Sequence, residues 1–193
     1  MIVLGSNSEV AQQFVEKTLQ EGEKFATIFL LTSDVETALR FSQHIDVKYL
    51  QPTKIIPLDV LGEVNYNQLD EIESNLLFCA TGYLGEGTEE GLYDRKNTER
   101  IIDINYAKLV PTLNFFAEKM ERKRAGTMIV LSSVAGDRGR QSNFIYGSAK
   151  AAMTAYLSGL RNYLYSRKVH VMTVKPGFME TKMTEGLPLN PML

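Results

Sequence analysis

The sequence predicts an α/β protein built on a doubly wound parallel sheet, and three observations support this prediction. Short apolar runs alternate with longer amphipathic stretches along the whole chain, which is typical of β-α repeats. A length of 193 residues suits one domain with a sizeable core. Low-complexity tracts, internal repeats and long linkers are absent from the sequence, so we expect neither a second domain nor a solenoid.

Each apolar run predicts a strand, and each amphipathic stretch predicts a helix. We expect strands over residues 2–4, 27–31, 55–58, 76–80, 127–131 and 170–174. Helices are expected over residues 9–21, 35–45, 66–74, 98–122 and 144–167. Six strands in this alternation indicate a Rossmann-like sheet with three α/β/α layers, in a single domain over residues 1–193. Such sheets bind ligands beyond the carboxyl ends of their strands, so we expect the chemistry there.

Charge and cysteine content exclude several classes of protein. The formal net charge is −2, which favours neither nucleic acid nor an anionic membrane as a partner; a neutral or small anionic substrate fits better. Cys79 is the only cysteine, which excludes an intrachain disulfide framework and indicates core filling in a reducing, cytoplasmic setting. No run of about 18 apolar residues occurs, so no transmembrane helix is expected. His44 and His170 lie far apart along the chain without a ligand cluster, so no metal site is expected.

A tight turn leads into the first predicted helix, through Gly5, Ser6, Asn7, Ser8, Glu9 and Val10. Gly5 allows the turn, and the free backbone N–H groups at a helix N-terminus favour a pyrophosphate. The strict glycine pattern of such turns would place glycines where Glu9 and Ala11 stand. Strand-to-helix turns also carry Gly and Ser for structural reasons, so both interpretations stay open. For a phosphate to bind, the Glu9 carboxylate must point away from it.

In Rossmann-like sheets, the residues after the second strand distinguish NAD from NADP. An acidic residue there accepts the ribose hydroxyls of NAD, and a basic residue pairs with the extra phosphate of NADP. Here Thr32 and Ser33 occupy these positions, and neither carries a charge. The next residue, Asp34, fits the N-cap of the following helix. The choice between NAD and NADP therefore stays open.

Three polar residues late in the chain form a candidate catalytic set. Tyr146 and Lys150 are four residues apart on a predicted helix and share one face. A free phenol has a pKa of about 10, and a nearby ammonium lowers it, so Lys150 would make Tyr146 a usable acid or base. Ser133, at the end of the fifth strand, can orient a substrate oxygen. A Tyr-Lys pair alone is also common on half-exposed helix faces, but its chain order after the Ser133 strand end and the turn at Gly5 favours catalysis.

With this set, residues 2 to about 181 resemble the short-chain dehydrogenase/reductase family. The family's Ser-Tyr-Lys pattern matches Ser133, Tyr146 and Lys150, and Asn105 matches the asparagine that completes its proton relay. The resemblance implies that Tyr146 donates the proton, and that Lys150 lowers its pKa and holds the nicotinamide ribose. It also implies that Ser133 orients the carbonyl and that Asn105 positions a water.

The resemblance implies further cofactor contacts: an Asp-Val pair after the third strand, a short segment after the fourth strand, and a Pro-Gly loop with a threonine after the last. Where the family often has Asn-Asn-Ala-Gly, only Ala80 and Gly82 match. Glu9 and Ala11 depart from the glycine pattern of the first turn, and both departures indicate a divergent branch. The predicted cofactor contacts are Gly5, Ser6, Asn7, Ser8, Glu9, Val10, Thr32, Ser33, Asp59, Val60, Ala80, Thr81, Gly82, Tyr146, Lys150, Pro176, Gly177 and Thr181.

The C-terminal segment carries a further resemblance. Residues 175–188 are similar to the tail of reductases that act on keto-sugars linked to polyprenyl phosphate. Members of the family usually continue with a substrate lid and a further strand, whereas this chain stops soon after Thr181. We therefore expect either a reduced lid or a truncated form.

These observations predict hydride transfer between NAD(P)H and a carbonyl or alcohol, with reduction as the favoured direction. A sugar-nucleotide epimerase or dehydratase would share the Tyr-Lys pair, but it would need a larger C-terminal domain. A non-catalytic, dinucleotide-binding regulatory protein of the same fold is the alternative from another class. Leu109, Leu113 and Phe116 recur at helical spacing and predict a core or a dimer helix. The family often dimerises through this helix, so a homodimer or homotetramer is expected.

Overall fold

The computed structural model describes residues 1–85 and 92–185 and confirms the predicted fold class. The strands are β1 (Ile2–Leu4), β2 (Ile28–Thr32), β3 (Thr53–Pro57), β4 (Leu76–Cys79), β5 (Gly126–Leu131) and β6 (Val169–Val174). The helices are α1 (Glu9–Gln20), α2 (Val35–Tyr49), α3 (Tyr66–Asp70), α4 (Arg95–Ile102), α5 (Leu109–Lys123) and α6 (Phe144–Tyr165). All six strands are parallel, in the doubly wound order β3-β2-β1-β4-β5-β6.

Two hydrophobic cores lie on opposite faces of this sheet, because successive side chains of a strand point to opposite sides. Val3 packs with Val15 of α1 and Phe41 of α2 on one face. Leu4 packs with Phe116 of α5 on the other face. Leu109, Leu113 and Phe116 belong to this second core, which confirms the core interpretation of their spacing. None of the described helices is both long and apolar enough to cross a membrane.

Most predicted boundaries agree with the structure within two residues, but two helix ends were predicted wrongly. The second helix continues four residues beyond the predicted residue 45 and stops where Leu50 takes a left-handed conformation with φ 51°. The Leu50 N–H donates to the Asp46 carbonyl oxygen and so closes the last turn. The third helix ends at Asp70 instead of residue 74, because the chain turns to bury Ile72 in the core.

The single helix predicted over residues 98–122 is also wrong. It begins earlier, at Arg95, because the Asp94 carboxylate caps it by accepting the Asn97 N–H at 3.1 Å. A π-helical turn (Asp103–Ala107) then separates α4 from α5. Inserted turns of this kind are frequent at functional sites, and this one carries the predicted residue Asn105.

Two glycines allow α6 to lie directly against the segment that follows β5. A Cβ atom on Gly147 would lie 2.7 Å from the Ala135 carbonyl oxygen. A Cβ atom on Gly136 would lie 2.7 Å from the Ala151 backbone nitrogen. Both distances are shorter than van der Waals contact allows, so neither position accepts a larger residue without a backbone shift. The close approach brings the start of α6 to the carboxyl end of β5.

Side-chain hydrogen bonds also hold α6 against the sheet. The Ser132 hydroxyl donates to the Lys150 carbonyl oxygen at 3.0 Å and lies 2.7 Å from the Thr154 hydroxyl. Further along α6, the Arg161 Nε atom donates to the Val171 carbonyl oxygen of β6 at 2.7 Å. These bonds fix the position of α6 along the sheet, and therefore the positions of the side chains that it carries.

Two glycine substitutions on α6 test this packing. Gly147→Ala is expected to lower the free energy of unfolding by roughly 1–3 kcal/mol, because the new methyl group meets the Ala135 backbone. Gly159→Ala is the matched control, since a Cβ at Gly159 meets no atom within 4 Å. The control is expected to raise the free energy of unfolding by up to about 1 kcal/mol through helix propensity. Urea unfolding would measure both, and equal stabilisation by the two substitutions would contradict the close approach.

Candidate active site

A cleft of about 430 Å³ opens at the carboxyl ends of the strands. It lies next to β1 and β4, where the strand order reverses and doubly wound sheets bind their ligands. Most of the predicted site residues line it together, although they come from distant parts of the chain. They are Gly5, Asn7, Ser8, Glu9, Val10, Thr32, Ser33, Asp59, Val60, Ala80, Thr81, Gly82, Tyr146, Lys150, Pro176 and Thr181.

Four predicted site residues do not line the cleft. Ser6 is completely buried beneath the turn, and Gly177 is exposed outside the cleft wall. Asn105 is completely buried behind Gly82. Ser133 is half-buried and lies near Tyr146, since its hydroxyl lowers the pKa of that phenol. Asn105 and Ser133 therefore contact the lining residues rather than forming the open surface.

The turn after β1 requires glycine at position 5. Gly5 has a φ of +79°, in the left-handed region that side chains disfavour. A Cβ atom there would also lie 2.7 Å from the Thr81 backbone nitrogen. The turn can therefore pack directly on the segment that follows β4, and this contact forms the floor of the cleft.

The N-terminus of α1 has the features of an anion site. Asp34, Asn65 and Asp94 cap α2, α3 and α4 with their side chains, whereas Ser8 makes no capping hydrogen bond to α1. The first N–H groups of α1 therefore lack a side-chain acceptor at the edge of the cleft. Two polar atoms in the same turn, Ser6 Oγ and Asn7 Oδ1, are buried without a hydrogen-bond partner, and both belong to the turn that would receive a ligand. This combination fits a pyrophosphate.

The Glu9 carboxylate turns towards the segment that follows β6. Its Oε2 atom accepts the backbone N–H of Lys182 at 3.0 Å, across 173 residues of sequence. Lys182 begins a short 3₁₀ helix (Lys182–Thr184) that closes one side of the cleft. The contact therefore gives the Glu9 carboxylate a partner within the protein and connects the two walls of the cleft.

The residues after β2 are arranged around the Asp34 cap. As predicted, the Asp34 carboxylate caps α2, accepting the Thr37 N–H at 3.1 Å and the Thr37 hydroxyl at 2.7 Å. These bonds from Thr37 lower the pKa of Asp34. Thr32 is almost completely buried and bonds to the Asp34 backbone. Ser33 is exposed and lines the cleft.

Lys150 lines the cleft and is 3% exposed. Its Nζ atom donates to the Leu131 carbonyl oxygen at 3.2 Å and lies 5.6 Å from the centroid of the Tyr146 ring. Burial lowers the pKa of Lys150 to about 8, against a smaller opposing contribution from Cys79. Cys79 itself fills the core as predicted, at 1% exposure. At neutral pH most Lys150 side chains therefore remain charged.

Tyr146 differs from the sequence expectation in its proton affinity. We expected the Lys150 ammonium to lower the pKa of the phenol. Instead, burial raises the pKa of Tyr146 above its ordinary value, and a hydrogen bond with Ser133 offsets this only in part. Desolvation of the phenol is the dominant cause because Tyr146 is packed into the cleft wall. The phenol is therefore protonated at neutral pH and able to donate.

Asn105 has a structural partner that the sequence did not indicate. Its side-chain amide accepts the Tyr83 N–H at 3.2 Å and donates to the Tyr83 carbonyl oxygen at 2.6 Å. The second amide hydrogen is directed to the Ile101 carbonyl oxygen at 2.8 Å. The Asn105 side chain thus holds the Gly82–Tyr83 backbone, and a Cβ on Gly82 would lie 3.4 Å from Lys150 Nζ.

Sequence reasoning missed part of the cleft lining. Ser132 was passed over in favour of Ser133, because the sequence does not reveal which of two adjacent hydroxyls faces α6. The other missed residues follow no motif spacing and come together only in the fold. The missed lining residues include Tyr83, Arg100, Ile104, Ser132, Met179, Lys182 and Met183.

The buried lysine predicts an unusual dependence of stability on pH. The folded pKa of about 8 lies below the ordinary value of 10.5. Between these values the unfolded chain binds a proton at Lys150 that the folded protein has released, so this group's contribution to stability rises with pH. Lys150→Met is therefore expected to raise the free energy of unfolding at pH 7 by up to about 3 kcal/mol. The gain over wild type should shrink as the pH rises from 8 to 10.5.

Urea unfolding of wild type and Lys150→Met at several pH values checks this expectation. Lys96→Met, at an exposed position on α4, is the control and should show no such change. A Lys150→Met protein that is less stable than wild type at neutral pH, with a difference independent of pH, would contradict the burial penalty.

Comparisons with known proteins are consistent with this geometry. The family model of short chain dehydrogenases matches residues 1–191. An uncharacterized oxidoreductase of Mycobacterium tuberculosis is 35% identical over 113 residues, which cover 58% of this chain and 45% of the relative. The match thus spans less than half of that relative's length. A 3-oxoacyl-[acyl-carrier-protein] reductase of Aquifex aeolicus is 26% identical over 191 residues, covering 96% of this chain and 76% of the relative.

Among solved structures, a short-chain dehydrogenase from Sphingobium yanoikuyae in complex with NADPH has the same fold. The TM-score is 0.82 at 18% sequence identity, with 94% of this chain and 72% of the other covered. This likeness concerns the fold. The family model, in contrast, matches nearly every residue of the chain, and the protein therefore belongs to the short-chain dehydrogenase/reductase family.

Proposed function

We propose that this chain is an NAD- or NADP-dependent oxidoreductase that reduces a carbonyl group by hydride transfer. The observation that carries the proposal is the proximity of Ser133 and Lys150 to Tyr146, which lines the cleft. The Ser133 hydroxyl is near enough to Tyr146 to lower the pKa of its phenol, and the Lys150 Nζ atom lies 5.6 Å from the tyrosine ring centroid. A protonated phenol beside a buried ammonium is suited to give a proton to a substrate oxygen.

The cleft offers a place for the dinucleotide. The turn after Gly5 and the uncapped start of α1 would hold the pyrophosphate, and Asp59 and Val60 would lie beside the adenine. Ser33 would face the adenosine ribose, since the Asp34 carboxylate is directed to Thr37 instead. Near Lys150, the lining residues Ala80, Thr81, Gly82, Pro176 and Thr181 would surround the nicotinamide. When bound, the cofactor supplies or accepts the hydride.

The chain's own residues would manage the proton. The Ser133 hydroxyl and the Tyr146 phenol would both donate hydrogen bonds to the substrate carbonyl oxygen and fix its orientation. As negative charge develops on that oxygen, Tyr146 would transfer its Oη proton to it. The Lys150 ammonium would stabilise the phenolate left behind. Because burial raises the pKa of Tyr146, the donor starts in the protonated form that reduction requires.

The substrate class and the assembly belong to the same proposal. The relative from Aquifex aeolicus is named as a reductase of 3-oxoacyl groups on acyl-carrier protein, which supports a carbonyl substrate. The similarity of residues 175–188 to the tail of polyprenyl-phosphate keto-sugar reductases supports a second carbonyl class, although residues 186–188 lie outside the described part of the structure. The family resemblance further supports a homodimer or homotetramer in the cytoplasm.

Substitution of the proton donor tests this function. Tyr146→Phe is expected to lower kcat by roughly 10²- to 10⁴-fold, because it removes the proton and little packing. The dissociation constant of the reduced cofactor should change by less than about threefold. Turnover of a panel of ketones would be followed through the absorbance of the reduced nicotinamide, with cofactor binding measured separately by calorimetry.

Tyr165→Phe is the control for this experiment, because Tyr165 is 84% exposed at the end of the same helix. It should behave as wild type. Equal loss of cofactor affinity and turnover in Tyr146→Phe would argue against the proton-donor role. A wild-type chain that binds the cofactor but reduces no ketone would instead favour a regulatory protein.

A further inference from the structure

Two cations that line the cleft, Arg100 and Lys182, have no part in the proposed proton transfer, and Arg100 is held by an aromatic side chain. Arg100 lies on α4 with an exposed side chain, and its Cζ atom is 4.6 Å from the centroid of the Tyr83 ring. This distance indicates a cation–π contact, which restricts the guanidinium to the face of the ring. Arg100 is therefore held at the cleft rather than extended freely into solvent.

The position of Tyr83 is itself fixed. The Asn105 amide binds both the N–H and the carbonyl oxygen of Tyr83, at 3.2 and 2.6 Å. The preceding residue, Gly82, lies next to Lys150, as its Cβ contacts show. Contacts therefore connect Arg100 to Lys150. The guanidinium lies on the Tyr83 ring, Asn105 of the π-helical turn holds the Tyr83 backbone, and the preceding Gly82 lies next to Lys150.

The guanidinium N–H groups of Arg100 can donate hydrogen bonds to a ligand. Arg40 and Arg122, both exposed, pair with a glutamate of their own helix, with N–O distances of 2.5 Å. Arg100 forms no such ion pair with any carboxylate of residues 1–85 and 92–185. An arginine fork has five N–H donors in one plane and matches a carboxylate or a phosphate in two parallel hydrogen bonds.

The neighbours of Arg100 connect it to the helix that carries Tyr146. It follows β4 in the chain and lies on α4, which packs against α6, the helix that carries Tyr146. Ile104 and Met183 line the same cleft as apolar neighbours. The candidate pyrophosphate turn belongs to β1 and α1 instead. A molecule with its carbonyl at Tyr146 and an anionic group some distance away would find both partners in one cleft.

We infer that Arg100 binds the oxyanion of the substrate, and that this enzyme acts on keto acids or keto phosphates rather than on neutral ketones. The inference rests on the proposed function, since it adds a second contact to the carbonyl site at Tyr146. Carboxylate and phosphate share the bidentate chemistry that the guanidinium recognises. The small net charge of −2 over the whole chain does not oppose such a substrate.

The test compares charged and neutral partners of the same size. Acetoacetate and methyl acetoacetate form one pair, and dihydroxyacetone phosphate and dihydroxyacetone form the other, so the two pairs separate carboxylate from phosphate. Each compound is assayed for turnover and titrated calorimetrically into the cofactor-loaded protein. The variants are Arg100→Met, which keeps the aliphatic stem, and Arg100→Lys, which keeps the charge. Arg95→Met on the same helix is the control, because Arg95 is exposed and does not line the cleft.

We expect wild type to favour the charged member of at least one pair. Arg100→Met should lower kcat/KM for that compound by roughly 10- to 100-fold, mainly through KM, and weaken its binding equally. Turnover of the neutral member and cofactor affinity should stay within about twofold of wild type. The kcat/KM of Arg100→Lys for the charged compound should lie between those of wild type and Arg100→Met. Arg95→Met should match wild type.

The possible failures are distinct from one another. If wild type reduces the neutral compounds as well as the charged ones, and Arg100→Met changes neither, the enzyme stands and the oxyanion site is overturned. If Arg100→Met weakens cofactor binding, the guanidinium contacts the cofactor and the inference is also overturned. If a cofactor-bound chain neither binds nor reduces the four compounds but reduces other ketones, the inference alone fails; if it reduces no ketone of the panel either, the proposed reductase fails as well.

Discussion

The close approach of α6 to the carboxyl end of β5 is the constraint on which the site depends. It is possible because Gly136 and Gly147 leave no side chain between the two segments, and Ser132 then bonds to the backbone of the helix. A helix held a few ångströms further out would separate Tyr146 and Lys150 from Ser133. Packing, rather than any property of a single reactive residue, therefore assembles the candidate proton donor.

The same packing lowers the stability of the folded protein. Lys150 is enclosed by Gly82, Tyr146 and the Leu131 carbonyl oxygen, and burial shifts its pKa to about 8. Within residues 1–85 and 92–185, Lys150 forms no ion pair with a carboxylate. A buried ammonium without such a partner destabilises the folded state, which makes Lys150 a candidate for function. Burial raises the pKa of Tyr146, the opposite direction to the shift of Lys150, because desolvation favours the neutral form of both groups. Burial thus leaves a charged lysine next to a protonated phenol at neutral pH.

Much of the fold could be predicted from the sequence, because alternating apolar runs and amphipathic stretches specify a parallel sheet directly. The positions of Tyr146 and Lys150 followed from helical spacing. Features that depend on contacts between distant segments could not be predicted. They are the π-helical turn around Asn105, the hydrogen bond from the Lys182 N–H to the Glu9 carboxylate, and the stacking of Arg100 on Tyr83. The spacing of residues along the sequence contains no information about such contacts. It also does not reveal that burial has a larger effect on the pKa of Tyr146 than the Lys150 ammonium has.

Every role proposed for this cleft depends on the binding of a nicotinamide dinucleotide against Lys150. Calorimetric titration of the purified chain with NADH and NADPH, repeated on Lys150→Ala, tests this claim most directly. We predict micromolar binding of at least one of the two, weakened about tenfold by the substitution through loss of the ribose contact. Failure of wild type to bind either dinucleotide, or binding that Lys150→Ala leaves unchanged, would contradict the account.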